Sequence, residues 1–344
     1  MRTSPALAAL VPSAVPPATI DAAIATLRAG EALAAKMAEL ASSRSFRRDS
    51  ALVALLEQLV AAVRALPPGG VLLVPGGWVA PPPTEADPEP TPTHMVVGAL
   101  KCTTPGTYEF TLTNTGSGLQ YHPHTFAPPE GAELRARSLS IPNIAAERVH
   151  DSAFWFLYCF PLFYPQPTCG PLWLYQHVLP HLAQTPVNVA AASPDVSVAL
   201  EFFPPPRGPD PSAGLAVAST FRYLLRTAGV ASRAADVMDG VLKLSIASAV
   251  TGQLAAAPFL SPSEYVLVSV VARETARRYA LIAQLVPDAL ISQSQLATAK
   301  AITEQLASSA WTLARKSNPI FPPELALEAA PRAAADDEGA WPLF

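Results

Sequence analysis

Apolar residues recur at helical spacing along two early stretches. Ile20, Ile24, Leu27, Leu33, Met37 and Leu40 form one stripe, and Leu52, Leu55, Leu56, Leu59, Val63 and Leu66 form another. Asp49 or Ser50 is placed to cap the second helix, and Pro67-Pro68-Gly69-Gly70 to stop it. Residues 20–66 thus predict a helical hairpin joined by the basic segment 44–48. The period then changes. Val71-Leu72-Leu73-Val74 reads as a short buried strand closed by Pro75-Gly76-Gly77-Trp78. Residues 95–100 and 108–113 read as the two strands of a β-hairpin around Thr103-Thr104-Pro105-Gly106, and a further strand is expected around 135–141. From residue 144 onward the chain reads as helix: 151–160, 172–182, 214–228, 234–250, 262–285 and 292–316. The fifth of these opens on a capping box of Ser261, Pro262 and Glu264.

These elements predict an α+β fold with an N-terminal helical hairpin, a small antiparallel sheet and a mostly helical C-terminal half. The corresponding divisions are 1–66, 67–203, 204–318 and a flexible tail at 319–344. Proline clusters at 81–92, 161–171 and 204–211 punctuate them, while the hairpin strands lack proline.

Composition narrows the function classes. The 344 residues are 50% hydrophobic and only 15% charged, with 38 prolines against 17 glycines. A net charge of −4 leaves no electrostatic footprint for nucleic acid or an anionic membrane. The most apolar run, 153–163, is interrupted by Pro161 and is too short to cross a bilayer. Pro12, Pro16 and Pro17 break any leader-like apolar core near the start. Three cysteines, Cys102, Cys159 and Cys169, do not make a disulfide framework, so a cytoplasmic or other reducing compartment is expected. Gly116-Ser117-Gly118 and Pro75-Gly76-Gly77 lack the residues of a phosphate-binding loop, and no cofactor is implied.

The hairpin carries the candidate chemistry. Centred on Thr104, it sets His94 opposite Asn114, Val96 opposite Leu112, Gly98 opposite Phe110 and Leu100 opposite Tyr108, all on one face. An Asn oxygen accepting from one imidazole N–H fixes the tautomer and leaves the other nitrogen as a base. The stretch from Thr93-His94-Met95 to Thr113-Asn114-Thr115-Gly116 resembles the His/Asn half of a papain-like cysteine peptidase. By that resemblance His94 is the base and Asn114 its orienter, with Trp78 as an aromatic cover. Gln166-Pro167-Thr168-Cys169-Gly170-Pro171-Leu172-Trp173 is similar to the segment that opens such a family's catalytic helix. It makes Cys169 the candidate nucleophile, at a helix start, and Gln166 an oxyanion donor. Two departures stand beside this likeness. Leu172 occupies the family's nucleophile position, and His94 precedes Cys169, which requires a permuted chain order. Cys102 sits too far along the strand to serve His94, and Cys159 reads as a buried, inert thiol.

Other groups read more plainly. Tyr121-His122-Pro123-His124 is a solvated loop, or a metal site if His150 or an acid joins it. His177 and His181 share a helix face without the Glu of a zinc-peptidase motif. The aromatic run from Phe154 to Tyr175 is packing between sheet and helices, and Arg273, Arg277 and Arg278 form a solvated face. Two functions follow: a papain-like, hydrolase-derived domain, inactive or incomplete as a cysteine peptidase, or a non-catalytic module whose proline loops and helices dock a protein or peptide partner.

Overall fold

The computed structural model describes residues 14–43, 47–79, 93–122, 124–126, 134–166, 168–184, 202–203 and 212–231, with a few positions between 234 and 242 and residue 301. The predicted helix at 262–285, that at 292–316 apart from residue 301, the capping box, the tail at 319–344 and the proline stretches at 81–92 and 204–211 lie outside the described residues. Two compact units are present: Asp21–Phe221, and Met1–Ile20 together with Arg222–Phe344. The architecture is α+β, and the candidate chemistry falls in the first unit.

Helices α1 (Pro17–Ser42) and α2 (Arg48–Arg64) are the predicted helical pair. The apolar stripe of α2 is buried as its spacing requires, at Leu52, Leu55, Leu56, Leu59 and Val63. Its start differs from expectation, because Arg47 rather than Asp49 or Ser50 is the capping residue. Asp49 lies instead in the first turn, where a carboxylate suits the helix dipole, and it accepts a 2.7 Å hydrogen bond from the Tyr164 hydroxyl.

Strands β1 (Val71–Trp78), β2 (His94–Thr104), β3 (Thr107–Thr113) and β6 (Ser138–Ala145) make an antiparallel sheet in the order β1-β2-β3-β6. A smaller sheet joins β4 (His124–Phe126), β5 (Leu134–Ala136) and β7 (Phe202–Phe203). The strand expected at 135–141 is thus two strands, and β6 runs on to Ala145 where helix was expected from 144. Both edge strands of the larger sheet contain a proline: Pro75 in β1, and Pro142 in β6 beside Asn143, which takes a positive φ of 58°.

β1 does not stop at Val74. It continues through Pro75, Gly76 and Gly77, with Trp78 paired to His94. The glycines here admit close neighbours rather than turn the chain: a Cβ on Gly76 would lie 2.4 Å from the Tyr158 ring. In the β2–β3 hairpin the observed partners are Gly98↔Leu112, Leu100↔Phe110 and Cys102↔Tyr108, two residues away from the expected register. The chain turns at Pro105-Gly106, with Gly106 at φ 82°, and the ladder is irregular between Cys102 and Thr104. A two-residue shift preserves the faces, because side chains alternate with period two.

One face of this sheet packs on helix α4 (Ser152–Phe163), whose N-terminus is capped by the Asp151 carboxylate accepting from the Ala153 N–H at 2.8 Å. A short helix α3 (Ala146–Val149) leads into it. Phe110 meets Phe154 and Tyr158 edge-on at 5.9 and 5.7 Å, and the Tyr158 hydroxyl donates to Val74 O at 3.1 Å. The aromatic run is core packing here, as its composition suggested. Residues 171–183 form one helix, α5, assembled from Pro171–Trp173, a π-wound turn at Leu174–Val178, and Leu179–Ala183. Helix α6 (Ser212–Thr227) matches the predicted 214–228. Among the described residues no helix is long and apolar enough to cross a membrane.

One buried hydroxyl in the sheet lacks a partner among the described residues: Oγ1 of Thr113, which is fully buried. Thr113→Val is therefore expected to raise stability by about 1 kcal/mol, since it removes an unsatisfied polar group at nearly constant volume. Urea unfolding measures this, and a loss of stability on substitution would refute it.

Candidate functional site

His94 opens β2, just beyond the last paired residues of the hairpin, Val97 and Thr113. β3 ends at Thr113, and the Asn114 N–H donates to Arg137 O at 2.8 Å, anchoring the strand end against the chain entering β6. From that anchor the Asn114 side chain reaches His94: Nε2 to Oδ1 is 2.7 Å. Both side chains are fully buried. Trp78, the β1 neighbour of His94, lies with its ring centroid 5.0 Å from the imidazole. The register slipped by two, yet His94, Asn114 and Trp78 come together.

The hydrogen atoms at this site can be assigned by counting donors and acceptors. Asn114 Oδ1 receives the Gly116 N–H at 2.9 Å, and Asn114 Nδ2 donates to Ser117 O at 2.7 Å. These two backbone groups fix which end of the amide is oxygen. Facing that oxygen, His94 Nε2 must donate, so a neutral His94 carries its lone pair on Nδ1. The second Nδ2 hydrogen goes to the Tyr175 hydroxyl oxygen at 2.9 Å.

Tyr175 then meets a second histidine. Its oxygen lies 2.7 Å from His122 Nε2, while His122 Nδ1 lies 2.8 Å from Ala136 O. His122 is fully buried, so Tyr121-His122 is not the solvated loop that its polar letters suggested. Burial pushes the Tyr175 hydroxyl above its ordinary range, against a smaller downward pull from the Asn114 hydrogen bond, and Tyr121 adds to the rise. Tyr121 stacks on Tyr175 with centroids 5.0 Å apart.

Cys169 lies two residues before Pro171, the first residue of α5, so the predicted helix-start placement is present. A Cβ placed on Gly118 would be 3.1 Å from both Asn114 Nδ2 and Pro171 Cβ, which brings the start of α5 close to the Asn side of the pair. The thiol itself is buried. Desolvation raises its pKa, partly offset by a hydrogen bond with the Thr168 side chain, and its backbone N–H donates to Gln166 O at 3.0 Å. No hydrogen bond joins Cys169 to His94 among the described residues. Gln166 is exposed, in contrast to the enclosed His94 and Asn114. The sequence-predicted quartet therefore divides into a joined pair, His94 with Asn114, and two residues that do not bond to it.

The other thiols behave as expected of structural cysteines. Cys102 donates to Thr104 O at 3.3 Å, and burial pushes the Cys159 thiol up to about 12. Among the described residues no group of three metal-ligating side chains is assembled. His150 faces the Tyr108 hydroxyl, and His177 and His181 are exposed on α5.

Sequence reasoning missed Tyr175 and His122. They lie 53 positions apart and share no motif. The available signal was a Tyr within a helical apolar stripe, where an interior hydroxyl requires a polar partner. No family model, no curated protein and no solved structure matches this chain.

Proposed function

We propose that the chain is a papain-like, hydrolase-derived domain that keeps the base and its orienting Asn as a buried network and carries no activated thiol. The observation that supports this reading is the 2.7 Å contact between His94 Nε2 and Asn114 Oδ1, closed off from solvent beside Trp78. It is the arrangement that presents an imidazole Nδ1 lone pair as a base. Against catalysis stand the burial of His94 and a Cys169 thiol whose pKa is raised, since a nucleophilic cysteine needs its thiolate favoured.

A thiol-reactive activity probe tests the reading. The folded protein is expected to show no His94-dependent labelling, with Cys169 modified only after denaturation. Rapid labelling of Cys169 that disappears in a folded His94→Ala variant would overturn it and make the domain a working thiol hydrolase.

A further inference from the structure

We infer that His122 and Tyr175 belong to the His94–Asn114 site, joined to it in one directed row of hydrogen bonds that leaves opposite tautomers on the two buried histidines, Nε2–H on His94 and Nδ1–H on His122. This rests on reading His94 and Asn114 as base and orienter, and it adds to that reading a second histidine that responds to the same amide.

Gly116 N–H and Ser117 O hold the Asn114 amide so that a flip would set donor against donor and acceptor against acceptor. On the oxygen side His94 must donate through Nε2. On the nitrogen side Tyr175 must accept, so its own O–H points to its other partner, His122 Nε2. His122 Nε2 is then an acceptor, and the ring proton sits on Nδ1, where Ala136 O receives it. Every donor in the row points away from His94 and toward Ala136. Aligned hydrogen bonds polarise one another, so the row increases electron density at the His94 end, where the Nδ1 lone pair lies. Tyr175 and His122 are positioning residues in this scheme, acting on His94 only through Asn114. Tyr175 also ties α5, the helix that begins just after Cys169, to the pair.

Two-bond ¹H–¹⁵N correlation spectra of the imidazoles read the tautomers directly. His94 is expected to show a protonated Nε2 and an unprotonated Nδ1, and His122 the reverse; the same tautomer on both rings would overturn the relay. Asn114→Asp supplies the stronger test. With a carboxylate in place of the amide, the Tyr175 O–H turns toward residue 114, and His122 Nε2, now facing the hydroxyl oxygen, takes up a proton from solvent while Nδ1–H stays on Ala136 O, so the Nε2 resonance moves from the unprotonated to the protonated range and the ring becomes an imidazolium. In the double variant with Tyr175→Phe that response is lost. A His122 spectrum unchanged by Asn114→Asp would refute the coupling, a result that packing alone would give. Should Asn114→Asp not fold, the wild-type tautomers and the loss of the His122 Nε2 hydrogen-bond shift in Tyr175→Phe still decide. Rapid, His94-dependent labelling of Cys169 would overturn the non-catalytic reading while leaving these tautomers intact, so the two failures are separate.

Discussion

Gly77→Ala is expected to cost at least about 3 kcal/mol of stability and to disrupt the pairing that seats His94. Gly77 holds φ 129°, a conformation that L side chains rarely adopt. A Cβ there would lie 2.1 Å from His94 O and 3.1 Å from Met95 Cα. Both obstacles are backbone, so no rotamer change relieves them and β1 must separate from β2 at the Trp78↔His94 pair. Urea unfolding gives the loss of stability, and the His94 ring N–H signal reports whether the hydrogen bond to Asn114 survives. A loss below about 1 kcal/mol with that signal intact would show that the strands tolerate the added carbon.

The second large effect is alkaline. Buried thiols and phenols resist ionisation: Cys159, raised from 9.0 to about 12, Cys169, also raised above 9.0, and Tyr108, Tyr158 and Tyr175, all raised above 10, chiefly because burial disfavours the charged form. A group whose pKa is higher in the folded state contributes fully below its unfolded pKa and loses that contribution as pH climbs through the gap. The loss therefore begins near pH 9 with Cys159 and steepens above pH 10 as the tyrosines join. At about 1.4 kcal/mol per pH unit, Cys159 alone removes roughly 3 kcal/mol by pH 11. Urea midpoints should hold level to pH 9 and then fall, with the fall between pH 9 and pH 10 made shallower in Cys159→Ala, where Cys169 is the raised thiol that remains. Midpoints unchanged to pH 11 would mean that these groups ionise in place.

What the sequence revealed and what it concealed follow one physical line. Alternation within a strand has period two, so a hairpin register wrong by two still put His94 and Asn114 on the same face. The turn lies within the expected Thr103-Thr104-Pro105-Gly106 segment, but its centre falls at Pro105-Gly106, one residue later than Thr104, and the ladder irregularity at Cys102 to Thr104 is not readable from the sequence. Pro75-Gly76-Gly77 looked like a stop because local propensity cannot anticipate that Tyr158, from a helix more than eighty residues later, lies across Gly76. Helix stripes were readable because burial and period coincide within each segment, as in α2. The row through Tyr175 and His122 was not, since its order depends on the direction of each hydrogen bond between residues far apart in the chain. Cys169 was correctly set at a helix start, but its burial arises from contacts that spacing does not encode.

The two edge prolines limit how this protein can meet others. Pro75 and Pro142 each withhold a backbone N–H from an outer strand of the four-stranded sheet, and Asn143 bends the second of them out of regular extension. A peptide that recognised the domain by adding itself as a fifth strand would find an interrupted ladder on either side. Strand addition at this four-stranded sheet is thereby disfavoured, and the same interruption guards it against edge-to-edge stacking of one copy on the next.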